Sequence, residues 1–484
     1  MIRLRMEHRS GRLVGVCAAI CAAIFLMAGG GAFAARSERP NVVVILIDDL
    51  GWSDVGCYGS RFYETPNIDR LAAEGVRFTD GYAASPVCSP TRAALMTGKY
   101  PARLHLTDFL VNRRFRPDSP ILPAPYRHEL PLEEVTIADA LKPFGYTSAH
   151  IGKWHLGPEP YSPENQGFDI NIGGTNSGMP ASFFWPRWGD NPPIVGNFEG
   201  EYLPDRLAAE AVRFIEDHKD RPFFLHLSHY AVHIPLEAKQ EMIRKYEEKP
   251  KPPGGQNNPI YAAMVESVDQ SVGRVMDALA RVGIDERTVV FFTSDNGGLS
   301  IGGRPNTPAT CSAPLRAGKG QLYEGGIRVP FIVKWPGVTT AGTTCEVPVH
   351  SIDFFPTILE MAGADAVTTN GPIDGESIVP LLKGDGRLQR DALYWHYPHF
   401  SNQLERPGGA IRVGDLKLIE RYEDGTVELY NLADDIGERS DLTLEMPDTA
   451  RALRDRFRDW RQSVNANMPV PNPNYATVET DTER

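Results

Sequence analysis

Past residue 34 the chain has no stretch long and apolar enough to span a bilayer. Only the N-terminus offers such a segment. Residues 1–12 carry Arg3, Arg5, Arg9 and Arg12, an apolar run extends from Leu13 to Met27, and small residues lead to Ala32-Phe33-Ala34. A charged head, a short apolar stretch and an A-x-A site predict a secretory signal peptide over 1–34. The alternative is an uncleaved anchor, because flanking glycines bring the run near spanning length. Cleavage after Ala34 would leave an exported chain, periplasmic or secreted, with no stable membrane span.

Cysteine is scarce. Of six in 484 residues, Cys17 and Cys21 leave with the signal, and Cys57, Cys88, Cys311 and Cys345 remain. Four are too few for a disulfide scaffold in a chain this long. Pairing of Cys57 with Cys88, or of Cys311 with Cys345, stays open. Positive charge is also in deficit. The net charge is −12, and residues 1–34 contribute +3 of it, so the remainder stands near −15. This argues against nucleic acid as a partner. It does not exclude an anionic substrate in a local basic pocket. Internal repeats and low-complexity tracts are absent.

What is present is a large apolar fraction, 42%, arranged as alternating strands and helices. "NVVVILIDDLG" is a β-branched run that stops at two aspartates, as a strand buried on both faces does. "YTSAHIGKWHLG", "RPFFLHLSHYAVH" and "RTVVFFTSDNGG" read as three more strands. "TPNIDRLAAEG" reads as a helix, and "YAAMVESVDQSVGRVMDALARVG" places Val265, Val268, Val272, Val275 and Leu279 at helical spacing. The alternation predicts an α/β domain with a largely parallel sheet flanked by helices, over 36–385. From 386 to 484 the pattern changes. "AIRVGDLKLIERYEDGTVELYNL" alternates and turns at Asp424-Gly425, and a helix follows with Leu453, Phe457 and Trp460 on one face. This predicts a smaller C-terminal α+β subdomain containing an antiparallel sheet.

In open parallel sheets ligands bind beyond the carboxyl ends of the strands. The first run ends in Asp48-Asp49, the second in Lys153-Trp154-His155, the third near His229 and His233, and the fourth in Asp295-Asn296. Three carboxylates and an amide suit a hard cation. Either pair alone reads better as helix caps. Two pairs on one rim would repel without a cation. Lys153 and His155, two apart on a strand, would point the same way and so bind an anion and move a proton. A solvated lysine and a core histidine would explain them equally well.

In "PVCSPTRAALMTG", Ser89 is the expected N-cap, Pro90 suits the first turn and Gly98 the end of the helix. Cys88 then sits just ahead of a helix N-terminus, with Arg92 one turn on. Helix dipole and guanidinium would lower the thiol's pKa. A thiol hydrolase, however, has no use for two aspartate pairs.

These residues carry a resemblance. "CSPTRAALMTG" is similar to the C/S-x-P-x-R signature of the type I sulfatases and their following "TG". "PNVVVILIDDLGWSDVGCYGS", "GKWHLG", "TSDNGG" and "APLRAGKGQLYEGGIRVPFIVKWPG" resemble, in order, the family's first metal-binding strand, second signature, second metal pair and sulfate-binding lysine segment. The match spans nearly the whole chain after the signal. It implies an alkaline-phosphatase-like fold and a sulfuric ester hydrolase. It implies one calcium ion held by Asp48, Asp49, Asp295, Asn296 and the modified Cys88. Cys88 would become formylglycine (3-oxoalanine) through a formylglycine-generating or sulfatase-maturing enzyme. Arg92 would steady that group, Lys153 and His155 would contact its hydroxyls and the sulfate, and His233 and Lys319 would bind sulfate near the leaving oxygen. The hydrated aldehyde would attack sulfur, and its second hydroxyl would let sulfate be expelled.

The resemblance leans toward bacterial carbohydrate sulfatases and the N-acetylgalactosamine-6-sulfatase group, hence toward a sulfated carbohydrate. Aromatics in "SFFWPRWGD" and "YWHYPHF" suit sugar stacking, although ordinary packing explains most of them. His396 and His399 are the expected substrate contacts there. Two rivals remain. One is a phosphatase, phosphodiesterase or phosphonate hydrolase on the same fold. The other is a sulfated-glycan binder with an unmodified Cys88.

Overall fold

Asn41–Ile47 forms a strand whose seven residues are all buried. Val43, Ile45 and Ile47 enter one apolar cluster and Val42, Val44 and Leu46 the other. A period of two with both faces apolar is what a strand inside a two-sided sandwich requires. The computed structural model describes residues 39–110, 119–364, 367–384 and 386–475. The expected signal peptide lies outside them. No helix among the described residues is long and apolar enough to cross a membrane.

Asn41–Ile47 pairs in parallel with Phe223–Ser228 on one side and Thr288–Ser294 on the other. Thr147–Gly152 extends the parallel set next to Phe223–Ser228. The full sheet has eight strands; Phe331–Lys334 runs antiparallel to Thr288–Ser294, and Val76–Phe78 and Thr343–Cys345 lie beyond it at that side. Helices cover both faces. On one, Pro259–Arg281 buries Val265, Val268, Val272, Val275 and Leu279, the stripe its spacing predicts. Asn258 caps this helix, its side chain accepting from Ile260 N and Tyr261 N. On the other face Phe354–Ala362 contributes Phe354, Phe355 and Ile358.

The C-terminal sheet is antiparallel, in the order Ala392–Tyr397, Gly408–Val413, Leu416–Arg421, Val427–Asn431. Its last hairpin turns at Asp424-Gly425, with Gly425 at φ 71°. The helix Pro447–Ser463 covers one face through Leu453 and Phe457. The other face brings Trp395 and Ile419 against Tyr82, Leu322 and Ile327. Lys417, fully buried, joins this sheet to the segment that follows Lys319, bonding Glu324 at 2.9 Å and Glu438 at 2.8 Å. All four described cysteines are free, so neither candidate disulfide forms.

Asp54 ties down the turn after the first strand. Its carboxyl accepts from Gly51 N, Tyr261 Oη, Thr310 Oγ1 and Gln256 Nε2. Burial nonetheless pushes it up to about 6. An unfolded Asp titrates near ~3.9. The folded state therefore binds this proton more tightly than the unfolded chain. The stability it adds is complete below about pH 4 and lost as pH rises through about 6. Asp54→Asn should flatten that fall, a difference on the order of 2–3 kcal/mol between the two pH–stability curves. Urea unfolding of both proteins across the window measures it. Parallel curves would refute the shift.

Candidate active site

The four parallel strands end on one rim, and the polar residues beyond them converge. Asp48 and Asp49 follow Asn41–Ile47, and Asp295 and Asn296 follow Thr288–Ser294. All four are buried. Asp49 takes a left-handed backbone, φ 62°, a strained conformation for a non-glycine residue. Its N–H donates to Asp295 Oδ1 at 3.2 Å, and Asn296 Nδ2 donates to Asp49 Oδ1 at 2.9 Å. Ser294 Oγ accepts from Leu50 N and donates to backbone oxygen, which fixes the bend.

Cys88 opens the helix Cys88–Thr97, with Val87 as its N-cap and Gly98 closing it at φ 70°. Ser89 is therefore inside the helix rather than capping it, and its hydroxyl is buried without a hydrogen-bond partner. A ligand atom of Cys88 lies within 4.8 Å of one from Asp48 and one from Asp295. The thiol does not become the acid that the helix terminus suggests. Burial pushes it up, outweighing the lowering effect of Lys153 and Lys319. A neutral buried thiol is a poor nucleophile.

Three cations meet the three carboxylates. Arg92 donates through Nε and Nη2 to Asp295 Oδ2 at 2.9 and 2.6 Å, and through Nη1 to the Lys153 carbonyl and Ser228 Oγ. Lys153 Nζ reaches Asp48 Oδ2 at 2.6 Å. Lys319 Nζ reaches Asp49 Oδ1 at 2.6 Å. Burial raises Asp49, but Lys319, His233 and Lys153 outweigh it and hold the carboxyl at about 2. Asp48 goes the other way, pushed well up by burial and by Asp295 and Asp49 against the pull of Lys153 and Arg92.

Lys153 and His155 do not share a strand face. The strand ends at Gly152, and His155 sits in the following loop at φ 57°, its N–H donating to Thr175 O. Left-handed backbone, not strand periodicity, aims it at the site. Burial and then Lys153 keep His155 neutral, and its Nδ1 is buried without a hydrogen-bond partner. His233 is brought within 3.6 Å of Asp49 Oδ2, and burial with Lys319 lowers it to about 3.

Gly178 was not legible as a site residue. A Cβ there would lie 2.7 Å from His155 Cε1. Gly178→Ala should push the ring aside and cost ~10-fold or more in kcat/KM with little change in melting temperature. Steady-state kinetics beside a thermal melt test this. Unchanged kinetics would mean the ring has room.

Above these residues opens a cavity of about 630 Å³ lined by Asp49, Cys88, His155, His233 and Lys319 at its base. Its walls include Leu110, Asn176, Met179, Leu299, Arg304 and Gln403. His396 and His399 are not among the lining residues, which corrects their expected role as substrate contacts. Both ring nitrogens of His396 are used internally, with Tyr422 Oη at 2.7 Å and Asn467 O at 2.9 Å. His399 is buried with its Nε2 2.7 Å from Thr107 Oγ1. Phe183, Trp188, Trp395 and Tyr397 are core side chains.

The donor set fits a hard cation. Asp48 Oδ1 and Asn296 Oδ1 are buried without hydrogen-bond partners. Two such oxygens, costly to leave unsatisfied, lie in one cluster with carboxylates that repel each other.

Comparison with known proteins agrees with this geometry. The family described as "Sulfatase" matches residues 40–364, and "N-sulphoglucosamine sulphohydrolase, C-terminal" matches 318–463. A "Sulfatase" of Formosa agariphila is 35% identical, covering 89% of this chain and 90% of that protein. The N-acetylgalactosamine-6-sulfatase of Canis lupus familiaris is 34% identical over 77% of this chain and 71% of its own. The crystal structure of Ps i-CgsB superposes with a TM-score of 0.74 at 31% identity, covering 88% of this chain and 93% of that one.

Proposed function

Because the chain belongs to the sulfatase family and is a sulfuric ester hydrolase, we propose that it releases inorganic sulfate from a sulfated carbohydrate, with Cys88 converted to formylglycine and one calcium ion in the site. The observation that carries this reading is the convergence of Cys88 and Lys319 at the base of one cavity on a hard-oxygen cluster with two unsatisfied buried acceptors, with Lys153 buried against Asp48. Asp48, Asp49, Asp295 and Asn296 would hold the ion, with the oxygen borne by residue 88. When bound, calcium neutralises these carboxylates and favours the ionised form of a nearby hydroxyl.

The chain's own residues supply the rest. Water and a sulfate ester become an alcohol and sulfate, so the departing oxygen must gain a proton. Lys153 and Lys319 set two ammonium groups against charge that grows on the sulfonyl oxygens. Lys319 remains protonated, since the attraction of Asp49 outweighs its burial. His233 beside it would relay a proton to the leaving oxygen once an anionic ester raises its affinity for one. His155, neutral, would accept a proton at a ring nitrogen. Arg92 would orient the carboxylates and helix from behind.

The sulfated carbohydrate is supported by the named relatives, an N-acetylgalactosamine-6-sulfatase among them. Export, and a maturing enzyme as partner, follow from the expected signal peptide and from the need to oxidise Cys88. A domain division at 385/386 is part of this reading, supported by the change from a largely parallel to an antiparallel sheet. Mass spectrometry of the Cys88 peptide from the native host tests the modification, and the aldehyde form should be about 18 mass units lighter than the thiol. An unmodified thiol in active protein would sink it. Metal analysis should find one calcium per chain, and sulfate esters should outpace phosphate esters. Zinc with a phosphate preference would favour the phosphatase rival.

A further inference from the structure

One formal charge on the cavity wall has no part in the constellation at its base. Among the described residues, and apart from Asp49, Lys319 and the two histidines, Arg304 is the charged side chain lining the cavity. It is exposed, and among the described residues its guanidinium makes no ion pair or hydrogen bond. The three buried cations below it are each matched to a carboxylate.

Arg304 is mounted on a fixed turn. Its N–H donates to Thr307 Oγ1 at 3.0 Å, and its carbonyl accepts from Thr307 Oγ1 at 2.7 Å and Thr307 N at 3.2 Å. Asn258, the cap of the long helix, clamps the same turn by donating to Asn306 O and Pro308 O. Ala309 N and Thr310 N close it onto Leu299 O. Such a mount lowers the entropy lost when a ligand is bound. An unpaired guanidinium on a rigid wall, in a protein of net charge −12, attracts a planar or tetrahedral oxyanion. On the reading above, the scissile sulfate is served by Lys319 at the base and by Lys153 buried behind it.

We propose that Arg304 is a specificity-determining residue that binds a second anionic group of the substrate, a sulfate or a carboxylate on the neighbouring sugar. The preferred substrate is then a polyanionic glycan rather than a singly sulfated one. This rests on the carbohydrate reading above.

The test is calorimetric titration of the full chain carrying Cys88→Ala, which binds without turning over. Three probes are used: a monosulfated disaccharide with a neutral neighbour, the same disaccharide with a second sulfate on that neighbour, and a sulfated hexosamine joined to a uronate. One of the two dianionic probes should bind ~10-fold tighter than the monoanionic one, the equivalent of about 1.4 kcal/mol. Which one does so identifies the second group. Arg304→Gln should erase the preference, Arg304→Lys should keep part of it, and raised salt should shrink it. Equal affinity for all three, or a preference that survives Arg304→Gln, overturns the proposal while leaving the carbohydrate reading intact. Absence of binding by every disaccharide removes the carbohydrate reading and this subsite with it.

Discussion

Cys88→Ala should remove sulfatase turnover by about 10⁴-fold or more while the protein stays folded. The two halves of that expectation come from different parts of the structure. The fold should survive because alanine is a good helix former at the first position of Cys88–Thr97 and because the thiol makes no disulfide. Its removal leaves only a small void beside the cavity. Turnover should not survive, because nothing else at the base offers a nucleophile. Asp48 and Asp295 are engaged by Lys153 and Arg92, and burial keeps His155 and His233 neutral. Cys88→Ser separates modification from packing. Serine restores the shape and one hydroxyl, but it lacks the second hydroxyl of a hydrated aldehyde and should turn over far below wild type unless it is itself oxidised. Both variants should still bind an aryl sulfate, since Lys153 and Lys319 remain. Near-normal rates in Cys88→Ala, measured on 4-nitrophenyl sulfate with matured protein, would mean that the nucleophile is elsewhere.

Where the sequence was informative, a physical rule with a short period applied. The run from Val42 to Ile47 has one reading as a strand buried on both faces, and in an open parallel sheet the residues beyond the carboxyl ends of such strands form the ligand site. That rule alone places Asp48-Asp49 and Asp295-Asn296 on one rim. The long helix announced itself through five apolar residues at a spacing only a helix satisfies. The readings that failed concerned positions governed by tertiary contacts. Ser89 has the chemistry of an N-cap, yet the helix starts at Cys88, so the hydroxyl turns inward. Lys153 and His155 looked like two residues of one strand face. The strand stops at Gly152, and a left-handed bend at His155 aims the ring instead. His396 and His399 stood in an aromatic-rich stretch that resembles a sugar platform. His396 is a core residue because the strand Ala392–Tyr397 is itself packed on both faces, and His399, just beyond that strand, is buried against Thr107. Gly178 had no local signal at all, because its importance lies in the His155 ring that folds against it.

Arg92→Met should lower the free energy of unfolding by about 3–5 kcal/mol in the absence of divalent ions, the cost of stranding a buried charge. Arg92 is 2% exposed and Asp295 is fully buried, so removing the guanidinium leaves the Asp295 carboxylate with neither water nor a cation on Oδ2. Asp48, 3.8 Å from the same guanidinium, loses a second attraction. The Lys153 carbonyl and Ser228 hydroxyl lose one shared donor, although Ser228 Oγ still donates to the Lys153 carbonyl at 2.8 Å. Methionine fills the stem's volume, so the loss measures charge and hydrogen bonding rather than a cavity. Arg92→Lys should recover less than half of it, because one ammonium cannot reach Asp295, the Lys153 carbonyl and Ser228 together. Calcium should recover part in both variants, by binding the folded state alone. The gap between unfolding in calcium and in chelator should therefore be wider in Arg92→Met than in wild type, since the variant's carboxylates carry one less positive neighbour. Urea unfolding in the two buffers gives both numbers. A variant within about 1 kcal/mol of wild type in chelator would show that Asp295 is protonated or hydrated without Arg92. A calcium gap no wider than in wild type would instead separate this ion pair from the cation site, and the cluster of Asp48, Asp49, Asp295 and Asn296 would have to hold its ion independently of the arginine behind it.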